Sequence, residues 1–536
     1  MPLATECLPL SAIPHVTPLF ADYTSHFERV SDFYARPPLT HDWFPQESRA
    51  LHYDAGLRAR VAEILERQNR GWGASTATLD SIRRLAAGAS VVVTGQQVGL
   101  FGGPLFAFYK ALSAIRLAAE MSQSGSECVA VFWLATEDHD LAEVNHATLP
   151  GPEGALERLT STSAGGPGAP VSAVRFGAEI EEVVAEAAKI LGDTPTTQFL
   201  RDSYRPGETL GSSFARLFSR LFAHSGVVLL DASDQHLHAL AAPIYQASIG
   251  SAEELDGALL ERGRRLEVAG YDTQVKVTHS STLLFGMRNG ARVPVHRADH
   301  DFTLGDEKLS EKELLGRIAA EPERFSANVL LRPVVQDYLL PTLAYVGGPS
   351  EVAYFAQAGV VYQKLLGRVT PILPRFSATL VEPRAQRLLE RYGVTLADTF
   401  HGPERLREQL AARSLPADVN ATFEAAERAL KGSLAALQAS LQKLDPTLAE
   451  AAGHAASKME YQLSSLRQRA GRAELRRSEE VARHAAVLSA TLYPNRDLQE
   501  RQLAGVFFTA RYGTGLLLRL YDAAQTACPD HHVIPL

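Results

Sequence analysis

Residues 91–110, Val-Val-Val-Thr-Gly-Gln-Gln-Val-Gly-Leu-Phe-Gly-Gly-Pro-Leu-Phe-Ala-Phe-Tyr-Lys, constrain the fold more than any other stretch of the chain. The β-branched run at 91–94 has the composition of a buried strand. A loop with Gly95, Gly99, Gly102 and Gly103 follows. Pro104 then opens an amphipathic segment that runs to about Met121, and proline suits the first position of a helix. A strand, glycine-rich loop and helix in that order aim unpaired backbone N–H groups and a helix dipole at one spot. Thr94, Gly95, Gln96, Gln97, Gly99, Gly102 and Gly103 are therefore candidate contacts for a phosphate or carboxylate. The loop matches neither the Walker A pattern nor G-x-G-x-x-G. A tight turn that binds nothing is the competing reading.

The rest of the chain builds outward from this junction. Apolar residues at helical spacing mark helices over Tyr53–Asn69 and Thr76–Ala87. A second strong strand, Val129–Leu134, completes a β-α-β unit, the building block of parallel sheets. Residues 151–170, rich in Gly, Ser, Thr and Pro, read as an exposed insertion. Gly226–Asp231 is a third buried strand. Leu283–Met287 and Arg292–His296 flank Asn289-Gly290, a two-residue hairpin turn. Thr342–Val346 and Val369–Leu373 extend the sheet. From about 384 the composition turns to Ala, Leu, Glu, Arg and Gln. Phe423, Leu430, Leu437 and Leu444 repeat every seven residues, with Leu434, Leu441 and Leu448 as a second row, a heptad seam. Asp445-Pro446 then fits an N-cap and first helical residue. This predicts two long helices in antiparallel, the second continuing toward Leu492, and a last helical piece over Gln499–Ala524.

The predicted class is α/β, with a parallel sheet core and a C-terminal helical coiled-coil domain. The boundaries are 1–149, N-terminal helices and half of the core; 150–330, insertions; 331–383, the second half of the core; 384–494, the helical hairpin; and 495–536, a segment packing back on the core. A length of 536 residues fits several cores.

A net charge of −8 argues against a general nucleic-acid binder. No run is apolar enough to cross a membrane, and no basic, apolar leader is evident. The three cysteines, Cys7, Cys128 and Cys528, are too widely spaced for a disulfide framework or a zinc motif. A reducing cytoplasm is expected, with no metal and no zinc. Cys128 begins an apolar run and reads as a buried strand residue.

The second strand ends in Ala135-Thr-Glu-Asp-His-Asp-Leu-Ala-Glu-Val-Asn-His146. Ligands of open parallel sheets sit beyond the carboxyl ends of the strands. Gln96, Gln97, Glu137, Asp138, His139, Asp140, Asn145 and His146 should converge there, able to hold Mg²⁺, a ribose or an ammonium group. Helix capping by Thr136 or Asp138 is the alternative. A second loop, Tyr345-Val-Gly-Gly-Pro-Ser-Glu-Val-Ala-Tyr354, repeats Gly-Gly-Pro between strand and helix, and makes Gly347, Gly348 and Glu351 candidate contacts. Arg375 with Ser377 and Thr379 alternates donors that could clamp a phosphate. Arg332 and Gln336 are polar residues in an apolar run, candidates for a buried network. Asp234-Gln-His-Leu-His238 reads as a solvated loop.

Four long motifs in order carry a resemblance. They are Thr94-Gly-Gln-Gln-Val-Gly-Leu-Phe-Gly-Gly-Pro-Leu-Phe, Trp133-Leu-Ala-Thr-Glu-Asp-His-Asp-Leu-Ala-Glu-Val-Asn-His, Leu331-Arg-Pro-Val-Val-Gln-Asp-Tyr-Leu-Leu-Pro-Thr and Tyr345-Val-Gly-Gly-Pro-Ser-Glu-Val-Ala-Tyr-Phe-Ala-Gln. The chain resembles, over its whole length, the cysteine-adding enzymes of bacillithiol biosynthesis. The resemblance implies a Rossmann-like core akin to class I aminoacyl-tRNA synthetases, connecting-peptide insertions, and a coiled-coil domain that forms a homodimer. It implies amide-bond formation between L-cysteine and glucosaminyl-malate, with ATP and Mg²⁺ as the agents of carboxylate activation.

On that reading Lys110 and Arg375 are the cations for developing phosphate charge, and His139 or Asp140 the base for the amine. The synthetase signatures His-x-Gly-His and Lys-Met-Ser-Lys are missing, with Gln96-Gln-Val-Gly-Leu in place of the first. Two other classes stay open: a nucleotide-binding scaffold with a coiled-coil partner arm, and a nucleotidyl- or glycosyltransferase.

Overall fold

The computed structural model describes residues 6–151, 154–163, 165–414, 417–475, 479–525 and 527–536. The chain divides into two units. One comprises residues up to 149, 158–378 and 500–532; the other comprises 150–157, 379–499 and 533–536.

Five parallel strands form the core of the first unit. They run in the order Ile372–Pro374, Thr342–Gly347, Ser90–Gln96, Cys128–Leu134 and Val228–Asp231. The chain thus fills one side outward from Ser90–Gln96, then returns to the other side at Thr342–Gly347. Val93 pairs with Val131 on one side and Tyr345 on the other, which fixes the register. The three central strands are buried along almost their whole length, as β-branched runs in a sheet covered on both faces must be. The helix after the first strand spans Leu105–Gln123. Pro104 lies just outside it, in extended conformation, not at its first position as the sequence reading had it.

The N-terminal helices are Ala55–Gly71 and Thr76–Ala86. Asp54 and Ser75 cap them by accepting from the Leu57 and Thr78 amides at 2.6 and 3.3 Å. The Asn289-Gly290 hairpin joins Ser281–Arg288 to Ala291–Ala298, with φ of 52° and 81° at the two turn residues. Both positive values are what a type I′ turn needs. These strands belong to a five-stranded sheet that also holds Asp301–Leu304, Glu307–Ser310 and Phe325–Ala327. Residues 234–238 are not a solvated loop. Asp234 caps the helix Gln235–Gly250, and His238 is buried one turn in. Cys128 is buried in its strand.

The second unit is helical. Its long helices are Ala417–Leu444 and Pro446–Leu475, joined at Asp445, whose carboxylate accepts from the Thr447 amide at 2.8 Å. Helix is described over Pro446–Leu475 and again over Glu479–Leu492; the stretch between them, across which the sequence predicts the helix to continue, lies outside the described residues. Phe423, Leu430, Leu434 and Leu441 are half-buried, while Leu437, Leu444 and Leu448 are exposed. A straight helix drifts about 20° per heptad, so a seven-residue row rotates off the seam. The C-terminal piece is three short helices, Gln499–Gln502, Gly505–Tyr512 and Gly515–Ala523, not one.

Candidate active site at the sheet's switch point

In this strand order the topology reverses between Ser90–Gln96 and Thr342–Gly347. Open α/β sheets bind ligands in the crevice at such a point, beyond the strands' carboxyl ends. The two Gly-Gly-Pro junctions are the loops that leave those two strands. A crevice of about 790 Å³ opens there, lined among others by Gln96, Gln97, Lys110, Glu137, Asp138, Arg292, Arg332, Gly348, Glu351, Arg375 and Arg501.

An ion pair spans the switch point. Lys110, from the helix after the first junction, places Nζ 2.5 Å from Oε2 of Glu351, from the helix after the second. The same ammonium donates to the Gly95 carbonyl at 2.8 Å and to Gln96 Oε1 at 2.9 Å. Three acceptors match the three hydrogens of an ammonium. Glu351 also accepts from the Gly348 amide at 2.7 Å and the Tyr345 hydroxyl at 2.6 Å. Burial alone would push the Glu351 carboxyl up. The Lys110 ammonium, with the Gly348 N–H and Tyr345, outweighs it and holds the carboxyl below its usual range. Burial draws the Lys110 ammonium down, against the pull of Glu351. Lys110 is thus held by protein acceptors and is no free cation for a phosphate.

The glycine-rich loop is also committed inward. Gly102 donates to the Tyr204 hydroxyl at 3.2 Å and Gly103 to the Leu100 carbonyl at 3.1 Å. A Cβ at Gly99 would stand 2.8 Å from the Gly103 Cα, so the glycines serve close backbone approach. Gly99, Gly102 and Gly103 are not among the crevice residues. Neither is Gly347, where a Cβ would meet Glu351 and Ile372, both at 2.9 Å. Thr94 is buried, its hydroxyl donating to the Val346 carbonyl at 2.9 Å and tying the two switch-point strands together.

The acidic segment divides. Gln97 Nε2 donates to Asp138 and Glu143, both at 2.7 Å, so the first loop and this segment do meet. Asp140 instead caps the short helix Leu141–Val144. His139 sits beside Arg292, with 3.5 Å between Nδ1 and Nη1, and is half exposed. His146 turns its Nδ1 to the Ala142 carbonyl at 3.1 Å, and the Asn145 carbonyl accepts from the Ser161 amide at 2.8 Å. None of these four lines the crevice. The expected convergence is therefore partial: the short helical turn keeps Glu143 at the crevice and carries Asp140, Asn145 and His146 away from it.

Glu137 turns to a histidine of the helix Gln235–Gly250. It is 3.2 Å from Nε2 of His238, and its Oε1 makes no other hydrogen bond in the described structure. Burial raises its carboxyl above the ordinary range, against the pull of His238 and Arg292. The sequence reading missed His238 because its i, i+2 spacing from His236 carries no metal signal, and its partner lies on another strand's end.

The cations are held from behind. Arg292 donates to Ser326 Oγ at 2.9 Å and the Ala327 carbonyl at 2.6 Å, and stacks 4.0 Å from the Phe285 ring centre. Arg332 donates to the Tyr354 hydroxyl at 2.6 Å and reaches Gln336 at 3.4 Å, the buried network its sequence context suggested. Arg375 donates to the buried Glu500 at 2.6 Å. Glu500 also accepts from Ser377 Oγ and the Ala378 amide, both at 3.0 Å. Ser377 is thus turned to Glu500 and His531, not to the crevice, and the phosphate clamp read from 375–379 is an internal one. Arg292 carries no local motif, and Glu500 belongs to Gln499-Glu-Arg-Gln, part of the family resemblance; the role of each comes from partners distant in sequence.

A family model described as the Bacillithiol biosynthesis BshC N-terminal Rossmann-like domain matches residues 3–376, and one for the BshC C-terminal coiled-coil domain matches 378–536. The chain belongs to the BshC family. A relative named "Putative cysteine ligase BshC" from Koribacter versatilis is 49% identical, covering 99% of each chain. Relatives of the same name from Solibacter usitatus and Salinibacter ruber are 36% and 34% identical. They cover 98% and 99% of this chain, and 99% and 98% of their own. The residues matched by the first family model contain all four sequence motifs. The crevice residues within those motifs include Gln96, Gln97, Glu137, Asp138, Arg332, Gly348 and Glu351. No described helix is long and apolar enough to cross a membrane.

Proposed function

We propose that this BshC-family chain joins L-cysteine to the amine of glucosaminyl-malate through an amide bond in the switch-point crevice, and that it uses ATP with Mg²⁺. The observation that carries the reading is the pairing, in one crevice, of a buried carboxyl of raised pKa with a set of arginines. A malyl group brings two carboxylates, and cysteine brings a third. Arg292 and Arg332, preorganised by their protein partners, suit such anions.

Amide formation needs an activated carboxylate and a free amine. ATP supplies the activation when bound. The inward-facing glycine loop leaves side chains to meet its phosphates, and Arg501 at the crevice is the candidate. Gln97 orients Asp138 and Glu143, a carboxylate pair of the kind Mg²⁺ takes. Glu137, rather than His139 or Asp140, is the proton acceptor for the amine: it is inside the crevice, and its raised pKa brings it nearer the working range of a general base. His238 behind it fixes the carboxylate's position.

In the second unit Leu437, Leu444, Leu448, Met459 and Leu466 are exposed apolar side chains, and a second copy of the chain is the partner this reading gives them. The reading places the reaction in the cytoplasm. Incubating the pure protein with cysteine, glucosaminyl-malate, ATP and Mg²⁺ should yield bacillithiol by mass spectrometry. A folded protein that forms no amide with any nucleoside triphosphate would overturn the proposal.

A further inference from the structure

Cys7, Cys528 and His532 come together from the two ends of the first unit. Each offers one ligand atom, and the three atoms all lie within 4.8 Å of one another. Cys7 Sγ is 3.7 Å from Nδ1 of His532, a residue 525 positions away. Tetrahedral zinc, with Zn–S of about 2.3 Å and Zn–N of about 2.0–2.1 Å, separates a sulfur and a nitrogen ligand by roughly 3.5 Å and two sulfurs by roughly 3.8 Å. The Cys7–His532 separation of 3.7 Å is close to that geometry, and the other separations are within 4.8 Å.

We infer that Cys7, Cys528 and His532 form a thiolate–imidazole site for a zinc-like divalent cation that ties the N-terminal strand to the C-terminal segment. One further observation supports it. His532 is 1% exposed, its Nδ1 faces the Cys7 thiol, and its Nε2 has no hydrogen-bond partner in the described structure. None of these residues lines the crevice, so the site stabilises the fold and does not hold substrate. Ligands from opposite ends of the chain leave no local spacing signal in the sequence.

The test uses the full chain, reduced and metal-stripped under native conditions. Equilibration with Zn²⁺ followed by desalting should leave about one zinc per chain. Cobalt should give a thiolate-to-metal charge-transfer band and the intense visible bands of a tetrahedral site. C7S and C528S should each remove the charge-transfer intensity in part, and the double variant should lose it and the retained zinc. The crevice variant E137Q should keep both. Folded wild-type protein that retains no zinc would overturn the inference. So would zinc retained equally by the double variant, or a Cys7–Cys528 disulfide forming with no metal uptake by the reduced chain. The readout is metal, so it is independent of whether the ligase reaction proceeds.

Discussion

Lys110 and Glu351 join the two halves of the parallel sheet, with Nζ and Oε2 2.5 Å apart at the point where the strand order reverses. Both side chains are largely buried, at 5% and 13% exposure. Each Gly-Gly-Pro junction therefore delivers one member of the pair, and the pair sets the distance between the crevice's walls.

Removing one partner should be worse than removing both. K110M leaves the Glu351 carboxylate uncompensated, and a broken buried pair costs about 3–5 kcal/mol. The double variant K110M/E351L should recover part of that loss. Urea unfolding of the two singles and the double gives the coupling; additive losses would show that the residues do not act as a pair.

Glu137 should matter to chemistry more than to stability. E137Q is expected to lower kcat by about 10²–10⁴-fold, the range for a general base. Burial raises the Glu137 carboxyl above its ordinary value. A carboxyl raised in the folded state favours folding while protonated, and that contribution is lost as pH rises through the folded pKa. E137Q should therefore be as stable as wild type, or more so, at alkaline pH. Thermal melts across pH beside single-turnover rates separate the two effects.

Acid should weaken the first unit through His531 and Glu500. Burial lowers the His531 imidazole to about 4. A depressed histidine contributes stability above its unfolded pKa of about 6.5, lost progressively as pH falls toward the folded value. Burial works against the Glu500 carboxylate, but Arg375 and its hydrogen bonds hold it below the usual range. Its contribution is present above about pH 4.3 and is lost as pH falls through the folded pKa. Unfolding free energy should decline below about pH 6.5 and steepen below about 4.3. H531Q should flatten the upper part of that decline, and E500Q the lower part.

Gly102 should prove structural. Its φ is +84°, and a Cβ there would meet Phe108, Leu217 and Phe218 at 3.2–3.3 Å. G102V is expected to cost at least about 1–3 kcal/mol from overpacking, and about as much again from backbone strain. A variant that kept full stability by denaturant titration while losing nucleotide binding would instead assign the loop to phosphate.

Charge on the exposed hairpin face should oppose self-association. L437E/L444E is expected to shift the chain to monomer by light scattering, with its circular dichroism unchanged.

Much of the fold was legible before any coordinates. The β-branched runs at 91–94, 129–134 and 342–346 became the central strands, because a sheet covered on both faces demands continuous apolar residues. Asn289-Gly290 marked its hairpin, since few other residue pairs take two positive φ values. The motif residues Gln97, Glu137, Asp138 and Glu351 were picked out by their place at strand ends. Their partners were not. Whether Glu351 meets a ligand or Lys110 depends on how two helices approach, and no local pattern encodes that distance. His139, Asp140, Asn145 and His146 were grouped with Glu137 by proximity in sequence. One short helical turn then separated them.

The sequence by itself determined the family, the parallel sheet, the two Gly-Gly-Pro junctions and the helical hairpin, because each follows from local periodicity and backbone preference. Only the tertiary structure decided which charges neutralise one another. It paired Lys110 with Glu351 and Arg375 with Glu500, set His238 behind Glu137, and gathered Cys7, Cys528 and His532 from opposite ends of the chain. Burying a charge is costly unless a partner is present, and in this fold the partners stand on strands and helices that only packing brings together.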